Sequence, residues 1–566
     1  MKLFFLPFVF LFVTFVSNAA KPDFEPPVNI PIILNGNFGE IRSNHFHAGI
    51  DIKTNGTTNI PVLSVDEGFI SRISVSSSGY GKALYVDHPS GYTSVYAHLL
   101  SFSPEVEKWV KEQQYKKETF AVNLYPDEDQ FVVKKKEVIA RSGNSGSSGG
   151  PHLHFEIRDT ETEHPLNPLS YGFNVPDKTK PSVTNLFVYP ITPESNVAGN
   201  TVKKSYELVF SEGAYRPKNN STVQGWGSIG FGVDAIDFLD GNWSKCGVYK
   251  AELLIDSQLI YSFVIDRLNF NDMRYVNCHI DYEEYIKNKR KIHKTFIEPG
   301  NILGIYRNTK NNGVFNFDDG RTHKIVIKIF DFYSNSVDVK FNFKSSSAIE
   351  AKKVQYTEYF KYERKNSFSN DEIEIDLPHG ALCSDLMFKY KTSAAKPGIY
   401  SNIHSIHNKY VPILKPIEVS VKPVNLPEKI KDKALLAYID ISSGRISAIG
   451  GEYSFGSVKS IVKEFGDICI VADTIAPIIL PLSIKDKTTL MEPGMIRFKI
   501  TDDLSGIQNY NGYIDDKWVL FEYDLKSKIV TYYFDEHISK GKNHSIKFVV
   551  EDLKSNQKIY NAVFYY

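Results

Sequence analysis

The stretch "SGNSGSSGGPHLHFE", residues 142–156, places two histidines on alternate positions directly after a run of glycine and serine. Successive side chains of a β-strand point to opposite faces of the sheet. We therefore expect His152 and His154 to share one face, while Leu153 and Phe155 point into a core. A surface strand with two chance histidines and half of a zinc site both fit this pattern, so the rest of the chain has to distinguish them.

The glycine-rich run itself, residues 143–150, has three interpretations. It lacks the G-K-[ST] ending of a phosphate-binding loop, which excludes that kind of site. A plain flexible loop is one remaining interpretation. We favour a tight backbone wrap, because glycine permits a close approach of backbone segments. Such a wrap would bring the strand of His152 beside a metal.

A second polar segment, "NHFHAGID" at residues 44–51, lies upstream. His47 and Asp51 have the same strand parity, so we expect them to share a face. With one histidine of the later pair they would supply two imidazole nitrogens and one carboxylate oxygen. Three protein ligands are the usual plan of a catalytic zinc site, because the open fourth position holds the reactive oxygen. His45 has the same parity as His47, so parity leaves both as alternatives.

A third histidine follows a predicted β-hairpin. The segments "ALYVDH" and "YTSVYAH" are strand-like and are separated by Pro89-Ser90-Gly91, which are typical turn residues. His98 is predicted to end the second strand, within "YAHL". By itself it is more typical of a structural residue. Beside an open zinc site it becomes a candidate second histidine of the active site.

The segments "HAGID", "YAHL" and "SGGPHLHFE" resemble, in this order, the three motifs of the lysostaphin/LytM-type zinc metallopeptidases. The intervening sequence resembles the β-sheet core of that family, so the resemblance extends over about residues 30–172. It implies that His47, Asp51 and His154 bind Zn²⁺, which decides against His45.

The resemblance also implies catalytic roles for the other two histidines. His152 corresponds to the general base and His98 to the second active-site histidine. Zinc polarises a peptide carbonyl and activates water, and an imidazole can accept the proton that water loses. The chain contains no H-E-x-x-H motif, so a glutamate base of that type is not expected.

Residues 100–133 form an insertion relative to the family, and Gly149 stands where many members have threonine. The segment "SPEVEKWVKEQQYK" within the insertion predicts a helix with Ser103 as N-cap and Pro104 at the first helical position. One face of this helix would carry Val106, Trp109, Val110 and Gln113. We favour packing of this face against the sheet over a role in walling a substrate groove.

The composition of the 566-residue chain indicates a mainly β protein, because 33 tyrosines and 38 phenylalanines accompany many β-branched residues. We expect an antiparallel β-sheet peptidase core at residues 20–178. Three β-rich modules are predicted to follow, at 179–345, 346–475 and 476–566. The first and last are expected to be immunoglobulin-like β-sandwiches.

An approximate internal repeat supports these two sandwiches. "IGFGVDAIDFLDG" at 229–241 resembles "IRFKITDDLSG" at 496–506, and "GRTHKIVIKIFDFYSNS" at 320–336 resembles "GKNHSIKFVVEDLKSNQ" at 541–557. Each pair is an alternating strand that ends in an acidic turn. Such turns, for example Asp502-Asp503, offer oxygens suited to calcium. Solvated turn residues are the interpretation that we favour, since no complete calcium-loop motif is present.

Four cysteines are too few for a disulfide scaffold. Cys246 and Cys278 fall in one predicted module and are candidates for a disulfide in an oxidising compartment. Buried free thiols are at least as good an interpretation. Equal numbers of basic and acidic residues, 66 of each, argue against broad binding of nucleic acid.

The first twenty residues, "MKLFFLPFVFLFVTFVSNAA", are typical of a signal peptide at residues 1–19. A membrane anchor is the alternative, but the apolar run is short for the roughly 20 residues of a span. No other stretch is long enough, so no stable membrane span is expected after cleavage. We expect an exported protein of a Gram-negative bacterium, periplasmic or at the cell surface or secreted.

Together these features predict an exported zinc metalloendopeptidase that hydrolyses peptide bonds in peptidoglycan cross-links. Bonds to D-amino acids are the expected target, and glycyl bonds are the second choice. The alternative is a wall-binding or regulatory protein that activates other wall hydrolases. An adhesive or structural role of the β-modules is a third hypothesis, because they make up most of the chain.

Overall fold

The computed structural model of the protein describes residues 22–241, 243–350, 354–491 and 494–566, apart from the side chain of Asn220. Strands make up most of the regular structure, so the prediction of a mainly β protein is confirmed. The predicted signal peptide lies outside the described residues. Within the described ranges, no helix has both the length and the apolar character needed to cross a membrane.

An antiparallel sheet of eleven strands forms the N-terminal unit. Seven strands follow one another across it in the order Leu34–Gly36, Ile50–Lys53, His152–Asp159, Tyr92–Phe102, Lys82–Asp87, Gly68–Val75 and Val132–Val133. The other four are Pro61–Leu63, Val122–Leu124, Val138–Ser142 and Pro165–Leu166. A short ribbon joins Ile41–Arg42 to His45–Phe46, and a 3₁₀ turn spans Pro168–Tyr171. Leu153 and Phe155 are fully buried, as expected for the face opposite the paired histidines.

The predicted hairpin is confirmed, because Lys82–Asp87 pairs with Tyr92–Phe102. The prediction that the second strand ends at His98 is wrong, since this strand continues to Phe102. His98 adopts a φ of 59°, and the register of both neighbouring strands shifts beside it. A β-bulge of this kind absorbs one extra residue without ending the strand.

The helix predicted in the insertion is present at Pro104–Lys117. Ser103 precedes it, but its side chain makes no capping hydrogen bond. Val106 and Val110 are 2% exposed and belong to the core under the sheet, which confirms the packing interpretation. Gln114 rather than Gln113 is the buried glutamine.

A second unit contains a sheet of thirteen strands. Its strands are Ser182–Pro190, Asn196–Val197, Lys204–Ser211, Ala214–Pro217, Val223–Phe238, Lys245–Cys246, Lys250–Ile255, Gln258–Val264, Ile292–Lys294, Tyr306–Arg307, Phe315–Phe317, Thr322–Phe330 and Ser336–Ser345. Two short α-helices, Val276–His279 and Tyr282–Asn288, connect strands of this sheet. Three 3₁₀ turns lie at Lys218–Asn220, Met273–Tyr275 and Asn311–Gly313.

A third unit packs two five-stranded sheets and one strand pair around its own core. One sheet contains Asn366–Ser369, Ile373–Leu377, Ile417–Val421, Glu452–Ser454 and Ser457–Val462. The other contains Tyr390–Ser393, Ile403–Ile406, Ala434–Ile439, Ile446–Gly450 and Gly466–Ala472. Glu358–Phe360 pairs with Leu386–Phe388, and a 3₁₀ turn spans Glu428–Lys433.

The C-terminal unit packs a four-stranded sheet against a five-stranded one. The first contains Ile478–Pro481, Met495–Thr501, Glu522–Asp524 and Ile529–Tyr533. The second contains Thr488–Thr489, Ile507–Ile514, Lys517–Val519, Asn543–Asp552 and Gln557–Tyr565. The immunoglobulin-like type of this unit and of the second unit, like the predicted module boundaries, stays a prediction.

The two repeated units also share a hydrogen bond between a histidine and the aspartate of a turn. In the second unit Nδ1 of His323 donates a hydrogen bond to Asp256, which lies in a hairpin turn, at 2.7 Å. In the C-terminal unit Nδ1 of His544 donates to the turn residue Asp515 at 2.8 Å. Both aspartates have a φ of 48°. The two units therefore share a histidine-bound turn as well as their repeated strands.

The suggested pairing of Cys246 with Cys278 is wrong. Cys278 forms a disulfide with Cys383, across a sequence separation of 105 residues. Cys246 and Cys469 are buried free thiols. Cys278 lies in a helix of the second unit and Cys383 in the third, so the bond joins two units that sequence patterns had treated separately.

Candidate metal centre

Three imidazoles converge on one carboxylate oxygen, Oδ1 of Asp51. Nδ1 of His154 lies 2.9 Å from this oxygen and Nε2 of His47 lies 3.0 Å from it. Nε2 of His152 is more distant, at 3.4 Å. His47, Asp51 and His154 are buried and offer one ligand atom each, all within 4.8 Å of one another. The three residues expected to bind zinc are therefore brought together.

Strand register explains how Asp51 and His154 meet. Their strands, Ile50–Lys53 and His152–Asp159, are antiparallel neighbours in the middle of the sheet, and the two residues are directly opposite each other. Opposite residues of an antiparallel pair carry their side chains on the same face. On its other side, His154 is paired with Ala97, the residue before His98.

His47 faces Asp51 as expected, but not through the regular parity of one strand. The strand Ile50–Lys53 begins after His47, which lies in the connection from the ribbon strand His45–Phe46. The break occurs at Gly49, where a Cβ atom would collide with the backbone carbonyl of Phe155. His45 is exposed and donates from Nδ1 to the carbonyl of Ser43. His47 instead turns into the buried cluster.

Backbone carbonyls hold two of the rings in defined orientations. Nδ1 of His47 donates to the carbonyl of Asn37 at 2.8 Å. Nδ1 of His152 donates to the carbonyl of Gly150 at 2.8 Å. In each ring the opposite nitrogen, Nε2, then faces Asp51. A ring nitrogen that does not carry the donated proton keeps a lone pair for a metal or for a proton.

His98 lies beside the cluster rather than in it. Its ring centroid is 4.9 Å from that of His152 and 5.8 Å from that of His154. Nδ1 of His98 donates to the carbonyl of Ser145, in the glycine-rich loop, at 2.9 Å. The positive φ at the bulge turns this side chain to the side of the sheet where the other histidines lie.

The glycine-rich loop folds as the favoured interpretation expected, as a tight wrap beside the sheet. Gly146 has a φ of 67°, and a Cβ atom on it would press against the backbone of Gly79 and Gly81. The hydroxyl of Ser145 donates to the carbonyl of Leu99 at 2.8 Å and accepts from the amide of Lys82 at 2.9 Å. The loop is thereby attached to both strands of the hairpin.

A buried polar group that the sequence motifs did not reveal contacts His154 on the side away from Asp51. Glu156 is fully buried and accepts a hydrogen bond from Nε2 of His154 at 2.8 Å. Its other oxygen accepts from Nε of Arg158 at 2.7 Å, and it also accepts from the hydroxyl of Tyr80. Strand parity was a signal for Glu156, because it stands two residues after His154 and shares its face.

Asp51 is held from behind in a similar way. Arg42 donates from Nη2 to Oδ2 of Asp51 at 2.9 Å and to Glu40 at 3.0 Å. This contact engages the oxygen of Asp51 that faces away from the histidines. Oδ1 therefore remains directed at the three imidazoles.

The electrostatics of the cluster favour one positive charge at its centre. Burial alone raises the pKa of Asp51, but the adjacent charge of His47 and hydrogen bonds from His152 and His154 hold that pKa well below its usual value. Burial lowers the pKa of His154, but hydrogen bonds to Asp51 and Glu156 outweigh it and raise the pKa to about 9. Burial and the two neighbouring histidines lower the pKa of His98 to about 3.

These donors fit a zinc ion. Two imidazole nitrogens and one carboxylate oxygen are a ligand set typical of catalytic zinc sites. Nδ1 of His154 lies 2.9 Å from Oδ1 of Asp51 and 3.0 Å from Nε2 of His47, so a cation could bind among these three atoms. Glu156 and the carbonyl of Asn37 orient the two histidine ligands from outside, as partners of metal-binding imidazoles commonly do.

The loop that carries His47 is attached to the second unit. The side chain of Asn37 donates to the carbonyl of Gly247 at 2.8 Å and accepts from its amide at 2.7 Å. Phe46 is fully buried in the core of the second unit. The backbone carbonyl that orients His47 thus belongs to a residue whose side chain is fixed by another unit.

The C-terminal unit also contacts the neighbourhood of the site. Nζ of Lys526 donates to the carbonyl of Ser148 at 3.3 Å and to that of Asn144, both in the glycine-rich loop. Tyr115 of the insertion helix donates to Asp535 at 2.6 Å and stacks on His537 with ring centroids 3.9 Å apart. The insertion therefore packs on the sheet with one face and on the C-terminal unit with its end.

Two family models match parts of the chain. The one described as Peptidase family M23 matches residues 45–115, a segment that contains His47, Asp51 and His98. The one described as Zu5-like domain matches residues 357–473, in the third unit. Over the first segment the chain resembles the M23 metallopeptidases.

Curated relatives match a similar share of the chain. The DD-carboxypeptidase/endopeptidase Mpg of Neisseria meningitidis serogroup B is 31% identical over 134 residues, which are 24% of this chain and 24% of the relative. An uncharacterized metalloprotease of Haemophilus influenzae is 32% identical over 142 residues, which are 25% of this chain and 22% of the relative. The chain spans about a quarter of the length of these relatives.

Solved structures that resemble the protein include the catalytic domain of the M23 protein EnpA from Enterococcus faecalis. It is 22% identical and covers 26% of this chain and 98% of that one, with a TM-score of 0.20. The catalytic domain of lysostaphin from Staphylococcus simulans is 20% identical and covers 24% of this chain and 90% of that one, with a TM-score of 0.18.

Proposed function

We propose that the protein is an exported zinc metalloendopeptidase that hydrolyses peptide bonds in peptidoglycan cross-links. The observation that carries the proposal is the convergence of His47, Asp51 and His154 on one buried point, with His152 and His98 beside it. A structural zinc site would use four protein ligands, whereas three ligands with further histidines nearby are typical of hydrolysis. The resemblance to M23 peptidases over residues 45–115 supports the same reaction.

In this proposal His47, Asp51 and His154 hold the zinc, which supplies a Lewis acid that activates water and polarises the scissile carbonyl. His152 accepts the proton of the attacking water at Nε2, because its Nδ1 is already donated to the carbonyl of Gly150. His98 keeps its Nε2 available, because its Nδ1 is bound to Ser145. It can stabilise the developing negative charge or pass a proton to the leaving amine.

The substrate is proposed to be the cross-link peptide of a Gram-negative wall, with bonds to D-amino acids as targets. The curated relative named DD-carboxypeptidase/endopeptidase supports this choice. Glycyl bonds are the second choice. A cavity of about 470 Å³ lies beside the glycine-rich loop; Leu99, Asn144, Arg497 and Tyr533 are among its lining residues. The C-terminal unit supplies one wall of it.

A muropeptide digest analysed by mass spectrometry tests this function. Purified wild type is expected to hold zinc and to release cross-link peptides, and His154→Ala is expected to do neither. His45→Ala is the matched control, because His45 is an exposed histidine nearby whose ring donates to the carbonyl of Ser43. A zinc-free wild type that releases no products would refute the proposal. It would favour the alternative of a regulatory protein that activates other wall hydrolases.

Export to the periplasm, the cell surface or the medium is part of the proposal. It rests on the apolar segment at residues 3–16, which follows Lys2 and precedes small residues. Fractionation of cells that produce the full chain should place the mature protein outside the cytoplasm, with a new N-terminus near Ala19 or Ala20. Cytoplasmic protein that still carries residues 1–19 would contradict export.

A further inference from the structure

A second cluster of titratable groups lies far from the histidines along the chain, where the N-terminal unit leads into the second unit. Asp177 lies in the connecting segment, Asp237 near the end of the strand Val223–Phe238, and Asp331 directly after the strand Thr322–Phe330. Each offers a carboxylate oxygen within 4.8 Å of the others. Their exposed fractions are 8%, 2% and 2%.

The hydrogen bonds of this cluster are incomplete. Oδ1 of Asp237 and Oδ2 of Asp177 are buried, and neither has a hydrogen-bond partner. Burying an ionised carboxylate without a donor or a cation is strongly unfavourable. In agreement, burial and the charges of Asp331 and Asp177 raise the pKa of Asp237 to about 8. Three buried acidic side chains with two unpartnered oxygens have the chemistry of a cation site.

The surroundings hold the carboxylates in place instead of neutralising them. Asn335 donates from Nδ2 to Asp331 at 2.6 Å and to the backbone carbonyl of Asp177 at 3.2 Å. The amide of Thr179 donates to Oδ1 of Asp177 at 2.9 Å. These donors fix the outer oxygens of the cluster and are neutral groups. The unpartnered oxygens are left for a ligand.

The same arrangement recurs in the C-terminal unit, built from the repeated sequence. Asp473, Asp502 and Asp552 offer oxygens within 4.8 Å of one another. Asn556 donates from Nδ2 to Asp552 at 2.8 Å and to the backbone carbonyl of Asp473 at 3.0 Å. In both units a connecting segment meets the acidic ends of the two repeated strands. The corresponding aspartates are Asp177 and Asp473, Asp237 and Asp502, and Asp331 and Asp552. Oδ1 of Asp502 is also buried and unpartnered.

We infer that Asp177, Asp237 and Asp331 bind a calcium ion that ties the connecting segment to two strand ends of the second unit. Hard cations prefer carboxylate and carbonyl oxygens, and calcium accepts the irregular set of six to eight that protein loops provide. Magnesium usually retains several of its waters, whereas these three side chains are almost fully removed from solvent. The favoured interpretation of the acidic turns as solvated is therefore wrong for Asp237 and Asp331, which are buried.

The position of the ion gives it a structural consequence. Phe332 and Tyr333, directly after Asp331, pack against the core of the N-terminal unit. Calcium at the cluster would therefore fasten residues 177–182 between the two units. The inference is independent of the zinc site, because it concerns different residues and a different class of ligand.

Equilibrium dialysis of the zinc-loaded full chain against radioactive calcium tests the inference. At about 1 mM Ca²⁺, the range in which many extracellular modules bind calcium, Asp237→Asn is expected to bind one equivalent less than wild type. Asp338→Asn is the matched control, because Asp338 is a strand residue of the same unit paired with Lys340 outside the cluster. The readout is the difference in bound calcium between wild type and Asp237→Asn, because the cluster in the C-terminal unit would add the same amount to both.

Limited proteolysis of wild type gives a second measurement that does not depend on a variant folding. Calcium is expected to slow cleavage within residues 177–182 and to raise the unfolding temperature of the second unit, because a ligand that binds only the folded state stabilises it. Magnesium at the same concentration should do less. Wild type that binds no calcium, or equal calcium binding by wild type and Asp237→Asn, would overturn the inference.

Discussion

The carboxylate of Glu156 accepts a hydrogen bond from Nε2 of His154 at 2.8 Å, on the side of the ring opposite Asp51. Arg158 keeps this glutamate charged, since its charge, with the hydrogen bond from His154, outweighs burial and lowers the pKa of Glu156 to about 2. A buried anion behind a metal-binding imidazole fixes the ring and increases its basicity. Glu156 is therefore a positioning residue for the proposed zinc site.

Glu156→Gln is expected to weaken zinc binding by about 10- to 100-fold while the fold is retained. The amide has the size of the carboxylate but lacks its charge. Competition with a chromogenic chelator measures the affinity. Glu161→Gln is a suitable control, because Glu161 is an exposed glutamate in the turn that follows the same strand. Unchanged zinc affinity in Glu156→Gln would show that the anion behind His154 is dispensable.

His154→Ala and His152→Ala should separate metal binding from proton transfer. Nδ1 of His154 lies 2.9 Å from Asp51, whereas Nε2 of His152 lies 3.4 Å away. We expect zinc to be lost from His154→Ala only. His152→Ala should keep zinc and lose about 10²- to 10⁴-fold of the hydrolytic rate, the usual contribution of a general base. Metal analysis with a peptide-release assay checks this, and equal zinc loss from both variants would contradict it.

Lys526→Met should loosen the glycine-rich loop. Lys526 reaches from the C-terminal unit to the carbonyl of Ser148, and the same loop holds His98 through Ser145. Hydrogen exchange in residues 143–150 is expected to become faster, measured by mass spectrometry on the full chain. Lys528→Met controls for the loss of a nearby exposed charge. Identical exchange in both variants would mean that this contact does not restrain the loop.

Reduction of the disulfide between Cys278 and Cys383 should destabilise the second and third units together. The bond closes a sequence separation of 105 residues, and removing a bond that closes such a loop typically costs about 2–4 kcal/mol of unfolding free energy. Urea unfolding with and without reductant measures the change. The double variant with serine at both positions should be insensitive to reductant. Reductant sensitivity in that variant would assign the effect to other groups.

The second unit should lose stability as the pH rises through the titration of His323. Burial lowers the pKa of His323, but hydrogen bonds to Asp256 and Asp319 outweigh it and raise the pKa above the usual 6.5. Protonated His323 thus stabilises the folded state below about pH 6.5, and this stabilisation disappears above the raised pKa. Urea unfolding of wild type and His323→Gln should differ most at pH about 5.5 and least at pH about 9. A pH-independent difference would contradict this.

Short-range sequence patterns were sufficient to predict the hairpin, the insertion helix and the strand that carries His152 and His154. These elements depend on the alternation of apolar and polar residues, on helical periodicity and on turn residues, all within one segment. The mainly β character followed from composition for the same reason. The break at Gly49 and the bulge at His98 were missed because both arise from contacts with strands that are distant in the sequence.

The ligand set was proposed from motifs, but its supporting groups were not. Glu156 and Arg158 share the strand face of His154, so strand parity offered a signal for them that motifs alone did not use. Tyr80 reaches Glu156 from a distant segment, and Arg42 reaches Asp51 only because the ribbon folds back on the sheet. Cys278 and Cys383 lie far apart in the sequence, so their pairing carries no local signal. The aspartate cluster was hidden in a similar way, because its three members come from three separated segments.

The attachment of Asn37 to Gly247 has a consequence for protein engineering. A fragment cut at the boundary of the M23-like segment would lack the partner that holds the carbonyl behind His47, and Phe46 would lose its apolar surroundings. Exchange of catalytic segments between such proteins would therefore need to carry over the matching surface of the neighbouring β-unit. The smallest transplantable unit is then larger than the segment in which its motifs are found.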